Sequence, residues 1–293
     1  MPPRDLVLIG LVVLAWGSNF TAMKLALEEL PPLLFVGLRF AILLPLLAVL
    51  KRPALAWWKI LAVGALINMG QFAFLFSALR ADATAGLGSL LIQMQAPLTI
   101  LLAFLVFGER LRAGQVAGLA VALLGVGVFA LSAGGNVTLA GLWLIFLAAL
   151  SWALGNLVLR RVGAVNMLAL FIWASLVPPV PMLALSMALE DPAPFALLAG
   201  LSPRGWLSVA YVAFASTVLG YSLWGLLLSR HPAAAVTPFA LLIPVVGLTV
   251  SGLVLGERPG AMDWLGGAVI LAGLALIQMP ARRGQATAGR PRP

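Results

Sequence analysis

The sequence predicts an all-α integral membrane protein, with about ten transmembrane helices in two inverted five-helix repeats. Three observations carry that expectation. The chain of 293 residues is 62% hydrophobic and only 9% charged, whereas a soluble domain carries roughly 25% charged residues, so there is too little charge to cover a water-facing surface. Its apolar runs have the length that a hydrocarbon core of roughly 30 Å requires, about 20 residues at 1.5 Å per residue. The tripeptide Gly108-Glu109-Arg110 returns as Gly256-Glu257-Arg258, 148 residues later (256 minus 108), and at the same offset Gly118 faces Gly266 and Gly125 faces Gly273.

The runs follow in order, each ended by turn chemistry. Leu6–Leu27 stops at Glu28 to Pro32, Pro32–Leu50 at Lys51 to Pro53, and Trp57–Leu79 at Arg80 to Asp82. Ala83–Phe107 stops at Gly108 to Arg112, Gly114–Leu131 at Gly134 to Asn136, and Leu139–Leu159 at Arg160 to Gly163. Met167–Leu189 gives way to the longest connection, Glu190 to Pro203, whose Phe195 to Leu201 is too short to span. Trp206–Leu228 ends at Arg230 to Pro232, Ala233–Leu255 at Gly256 to Gly260, and Met262–Met279 runs into a Gly-, Pro- and Arg-rich tail. The first run continues past residue 20 through Lys24 without a cleavage site, so it reads as a retained helix and not a signal peptide.

Basic residues outside the runs set the orientation. One side collects Arg4, Lys51, Arg52, Lys59, Arg110, Arg112, Arg160, Arg161, Arg230, Arg282, Arg283, Arg290 and Arg292; the other has only Arg80, Arg204 and Arg258. Both termini are therefore expected in the cytoplasm. One Gly-Glu-Arg turn then falls inside and the other outside, which requires an odd number of helices per unit and an inverted duplication. The expected units are residues 1–134 and 135–280, followed by a disordered basic tail over 281–293. A weaker echo relates Trp16-Gly-Ser-Asn19 to Trp152-Ala-Leu-Gly-Asn156. The two Gly-Glu-Arg turns read as tight hairpins whose exposed Glu–Arg pairs contribute only about 0–1 kcal/mol.

These residues, with Pro31-Pro32, Gly37-Leu38-Arg39-Phe40, Gln71-Phe72-Ala73-Phe74-Leu75-Phe76 and Pro244-Val245-Val246-Gly247, resemble the EamA-like transporters of the drug/metabolite transporter superfamily. The similarity runs from about Arg4 to Met279 and is greatest to bacterial exporters of amino acids and their metabolites. The resemblance implies a ten-helix fold around a central cavity, placed in the inner membrane, that exports small metabolites.

Polar groups inside a membrane are costly and mark function. Arg39 reads as a counter-charge for a substrate carboxylate, or as a structural Arg satisfied by carbonyls. Asn19 with Trp16, and Asn156 with Trp152, place an amide beside an aromatic on equivalent helices, either for a zwitterion or for interhelical hydrogen bonds. Gln71 and Gln95 offer further hydrogen bonds, and Tyr221 an apolar wall; Gln93 points about 200° away from Gln95 on a 3.6-residue helix. Interior prolines remove a donor and bend a helix, so Pro97, Pro178, Pro238 and Pro244 are candidate flex points.

Absences narrow the class. With no cysteine and one histidine, no metal site or cysteine nucleophile is expected. The nine acids fall in connections or at helix ends, leaving no buried carboxylate for a proton relay, and His231 reads as solvated. There is no phosphate-binding loop, no cofactor is expected, and the basic balance reports orientation, with no nucleic-acid partner. The expected partners are a small-molecule substrate and the lipid bilayer, with a monomer as the assembly state. The reading is a secondary transporter exporting amino acids and related metabolites by alternating access around a midplane cavity. The alternatives are multidrug efflux of lipophilic cations, sugar-phosphate or nucleotide-sugar transport, and a membrane-embedded enzyme, for which no catalytic constellation can be assembled.

Overall fold

The computed structural model describes residues 1–108, 111–131, 137–163, 165–191, 193–231 and 233–279. Glu109, Arg110, the connection 132–136 that holds the expected unit boundary, Pro232 and the tail from 280 lie outside them. Every element among the described residues is helical. Seven helices are long and apolar enough to cross a membrane: α1 (Pro3–Leu27), α3 (Trp57–Ala81), α4 (Ala85–Phe107), α6 (Leu139–Arg160), α10 (Pro203–Arg230), α11 (Thr237–Leu255) and α12 (Ala261–Gln278). An eighth span forms if α7 (Met167–Ala174) and α8 (Pro179–Leu189), bent by 41° at their junction, are counted together. Two shorter apolar helices, α2 (Pro32–Ala48) and α5 (Ala113–Val128), the small α9 (Pro194–Gly200) and a single turn, Ala233–Val236, complete the set among the described residues.

The second half of the chain repeats the local irregularities of the first. A widened, π-type stretch occupies Gly64–Gln71 in α3 and Tyr211–Leu219 in α10. A tight 3-10 stretch, Ile92–Met94 in α4 and Thr237–Leu242 in α11, precedes the regular segments Gln95–Phe107 and Ile243–Leu255. Each of these segments ends on a glycine in the left-handed region, Gly108 (φ 65°) and Gly256 (φ 69°). Glycine is required there because a Cβ would meet the neighbouring carbonyl.

The glycines seen in register in the sequence bring α5 and α12 together. A Cβ on Gly273 would stand 2.6 Å from the Ala122 backbone nitrogen and 2.7 Å from the Gly118 oxygen, and one on Gly125 would meet Ile270 and Gly266. Backbone lies against backbone, so nothing can yield. Gly273→Val is expected to destabilise the protein by about 1–3 kcal/mol or more, read as a lower melting temperature in detergent.

The candidate flex points fall at breaks or beside them. Pro178 is the N-cap of α8 at the bent junction. Pro238 lies in the 3-10 stretch of α11, while Pro97 and Pro244 lie in the first turn of the regular segments after such stretches. Charged groups gather at the two ends of the bundle. At one end, called here the basic end, Lys59 donates to the Arg161 carbonyl and Arg160 and Arg161 cover the Phe107 ring. Asp5 at the same end is only 2% exposed and binds Arg230 at 3.2 Å and His231 at 2.7 Å. His231 is therefore paired and not simply solvated, and although the acids sit at helix ends as expected, two are buried: Asp263 in the first turn of α12, and Asp5. The reason at Asp5 is that α1 and α10 converge there, a tertiary fact that local pattern does not contain.

Candidate substrate cavity and end seal

Near the middle of the bundle, α1, α2, α3, α4, α6, α10 and α11 enclose a cavity of about 100 Å³. Five of the seven residues expected at a binding site line it: Asn19, Arg39, Gln71, Trp152 and Tyr221. Arg39 is 2% exposed. Its Nη2 donates to Thr217 Oγ1 at 3.2 Å, and the guanidinium lies 3.8 Å from the Phe72 ring centroid. Its Nε and Nη1 make no hydrogen bond, and among the described residues no carboxylate pairs with it. Asn19 Oδ1 and Gln71 Oε1 are likewise buried acceptors without a donor. A buried polar atom left unmatched costs about 1–3 kcal/mol, and three residues with such atoms surround this one space.

The walls are aromatic. Trp16 donates its Nε1 to the Ser216 carbonyl at 2.9 Å and meets Tyr221 edge-on at 5.6 Å, while Tyr221 stacks on Phe171 at 4.2 Å. The remaining two candidates do not line the cavity. Asn156 Nδ2 donates to Gln95 Oε1 at 2.8 Å and to Thr99 Oγ1 at 3.0 Å, so this pair links α6 to α4. Gln93, set aside in the sequence reading, lines the cavity instead. The 3-10 stretch Ile92–Met94 explains it, because three residues per turn replace 3.6 and the angular bookkeeping of a regular helix fails there. Ser216 was also missed, since its position depends on the widened turn of α10. Lys24 belongs elsewhere: its Nζ donates to the Leu79 and Ala83 carbonyls.

At the end of the bundle opposite the basic end, four carboxylates bind helix N-termini and tie the two halves of the chain together. Glu29 accepts from the Ser202 amide at 2.8 Å and hydroxyl at 2.6 Å, at the start of α10. Glu190 accepts from the Leu33 and Leu34 amides of α2 at 2.8 and 3.2 Å. Glu257 accepts from the Ala85 and Gly86 amides of α4 at 2.6 and 2.9 Å, and Asp82 from the Thr138 amide before α6 at 3.3 Å. In every case the acid comes from one half of the chain and the helix from the other. Each carboxylate meets both unpaired amides and the positive end of a helix dipole. The Ser202 hydroxyl and amide hold the Glu29 carboxyl below the usual carboxylate range. Glu257 is thus more than half of a surface Glu–Arg pair; Glu109 lies outside the described residues.

A bundle of apolar spans around a buried polar cavity that holds one charged side chain, Arg39, is the architecture of a multi-pass membrane protein. Comparison with known proteins gives the family. The model of the EamA-like transporter family matches residues 5–131 and again 139–279. The chain is 39% identical over 282 residues to a probable amino-acid metabolite efflux pump of Escherichia coli (strain K12), covering 94% of each chain. It is 28% identical over 294 residues to a probable terminal-alkyne amino-acid exporter of Streptantibioticus cattleyicolor, covering 96% of each. A protein of known crystal structure shares the fold, with a TM-score of 0.61 at 20% identity over 94% of this chain and 96% of that one. The chain belongs to the EamA-like transporter family and is a multi-pass inner-membrane protein.

Proposed function

We propose that the protein exports amino acids and related small metabolites as a secondary transporter, by alternating access around the cavity between two inverted repeats. The observation that carries the substrate class is the unpaired guanidinium of Arg39 beside the free acceptors of Asn19 and Gln71. A cation to hold a carboxylate and oxygens to receive an ammonium are the complement of a zwitterion. At 4 Å an opposite charge gains about 4 kcal/mol at an effective dielectric of 20, which favours an anion here and repels the lipophilic cations of multidrug efflux. A phosphate ester would call for a second cavity cation, and Lys24 is held by carbonyls away from the cavity lining. The names of the two amino-acid exporters to which the chain is similar support the same class.

On this reading α2, α5 and the bent α7–α8 pair are spans too, which makes ten. The halves are 1–134 and 135–280, both termini are cytoplasmic, and the breaks at Pro97, Pro178, Pro238 and Pro244 are where the helices flex. The recurrence of widened, tight and left-handed elements, whose starts and ends are offset by 145 to 148 residues, supports the duplication. Inverted repeats of this kind recur in secondary transporters, with the site at the repeat interface. The carboxylate end would then be periplasmic.

The test is uptake of a panel of amino acids by liposomes containing the purified protein, with and without a pH gradient. Flux of small zwitterions is expected. Movement of lipophilic cations with no amino acid moved would defeat the proposal.

A further inference from the structure

Two spaces meet at one side chain. Tyr221 lines the 100 Å³ cavity and also bounds a pocket of about 850 Å³, lined by Asn166, Met167, Ser222, Gly225 and Ser229 among others. The larger pocket lies between α7 and α10. The two helices touch through the Phe171–Tyr221 stack, whose planes are 10° apart, and the pocket extends from there toward Gly163 and Ser229 at the basic end. Ser222, Gly225 and Ser229, three and four residues apart, put the small side chains of α10 on one face. A Cβ on Gly225 would meet nothing within 4 Å, whereas one on Gly220 would stand 2.3 Å from Trp16 Nε1. So α10 is tightly packed beside the cavity and loose beyond it, while four carboxylates tie the halves together at the opposite end.

We propose that the gap between α7 and α10 is the entrance from the basic end to the cavity, and that Tyr221 is the specificity-determining residue at its threshold. This rests on the transport reading above. The cavity of about 100 Å³ is far smaller than the pocket of about 850 Å³ beside it. A substrate with any sizeable side chain must therefore move the Tyr221 ring off Phe171 or keep that side chain in the larger pocket. The Ser222 and Ser229 hydroxyls give the passage polar points along an otherwise apolar wall.

The chain contains no cysteine, so Ser222→Cys and Gly225→Cys each introduce a single thiol. The probe is a charged, membrane-impermeant thiol reagent applied to oriented vesicles, with amino acid flux measured before and after labelling. Labelling from the basic-end side that removes most of the flux is the expected result. Independently, Tyr221→Ala is expected to raise the rate for large over small amino acids by about tenfold, and Tyr221→Trp to lower it. Thiols reached only by a membrane-permeant reagent would mean that acyl chains fill the gap and would overturn the entrance, as would labelling without loss of flux. A parent chain that moves no amino acid overturns the transport reading instead, and the entrance is then judged on the side from which the thiols react.

Discussion

Replacing Arg39 with methionine is expected to weaken substrate binding by about two orders of magnitude, while the melting temperature holds or rises. The two halves of that result have separate causes. Removing one partner of a buried, hydrogen-bonded charge pair costs about 2–5 kcal/mol, and every 1.4 kcal/mol is tenfold in affinity. If the substrate carboxylate is Arg39's counter-ion, that interaction disappears. The fold has no such dependence, because the guanidinium makes a single hydrogen bond, to Thr217, and otherwise faces the Phe72 and Phe40 rings. Exchanging a poorly matched buried charge for an apolar side chain of similar volume is often neutral or stabilising. Arg39→Lys should recover only part of the binding, since an ammonium lacks the planar fork that grips a carboxylate at two points. Binding by isothermal titration and melting by fluorescence decide the matter together. A variant that binds normally refutes the assignment, and one that collapses shows a structural Arg.

Glu257→Gln is the second large effect, and it concerns the equilibrium between conformations. The carboxylate receives the Ala85 and Gly86 amides at 2.6 and 2.9 Å. Hydrogen bonds to charged groups are worth about 1.5–3 kcal/mol, so neutralising this one should shift the population of the sealed form by about ten- to a hundredfold. A thiol placed at Met23, which lines the cavity and is 1% exposed, reports the change. In Met23→Cys the thiol should react with an impermeant reagent from the carboxylate end faster once Glu257→Gln is added. An unchanged rate would show that the four carboxylates fix the ends of helices without governing access.

The membrane class and the order of the helices were legible because they depend on composition and on short turns. Each of the ten runs contains helix, although α2 and α5 are shorter than the seven long spans and the seventh run is broken into α7 and α8. The repeated turn was legible because Gly108 and Gly256 need the same backbone angle and leave the same residue behind. Arg39, Asn19 and Gln71 could be picked out because a polar side chain in an apolar run has few places to go. What escaped was set by departures from the regular helix or by distant contacts. Gln93 reaches the cavity through a 3-10 stretch, Gln95 and Asn156 find each other across two helices, and Asp5 is buried by α10 arriving beside it. The carboxylate contacts were invisible for the same reason: the partner amides of each acid are 56 to 173 residues away.

The widened turns of α3 and α10 have a mechanical consequence. A π-type stretch carries one residue more than the helix needs, and Thr217 Oγ1 reaches back five residues to the Val212 carbonyl within it. Such a stretch can pass its spare residue along the helix by exchanging one backbone bond at a time, and the residues it passes then rotate by about 100°. Gln71 closes one of these stretches, and Ser216 lies inside the other. Both therefore stand on a winding defect that can migrate, so a rewinding local to one helix would turn cavity side chains toward or away from the substrate without displacing the span that carries them.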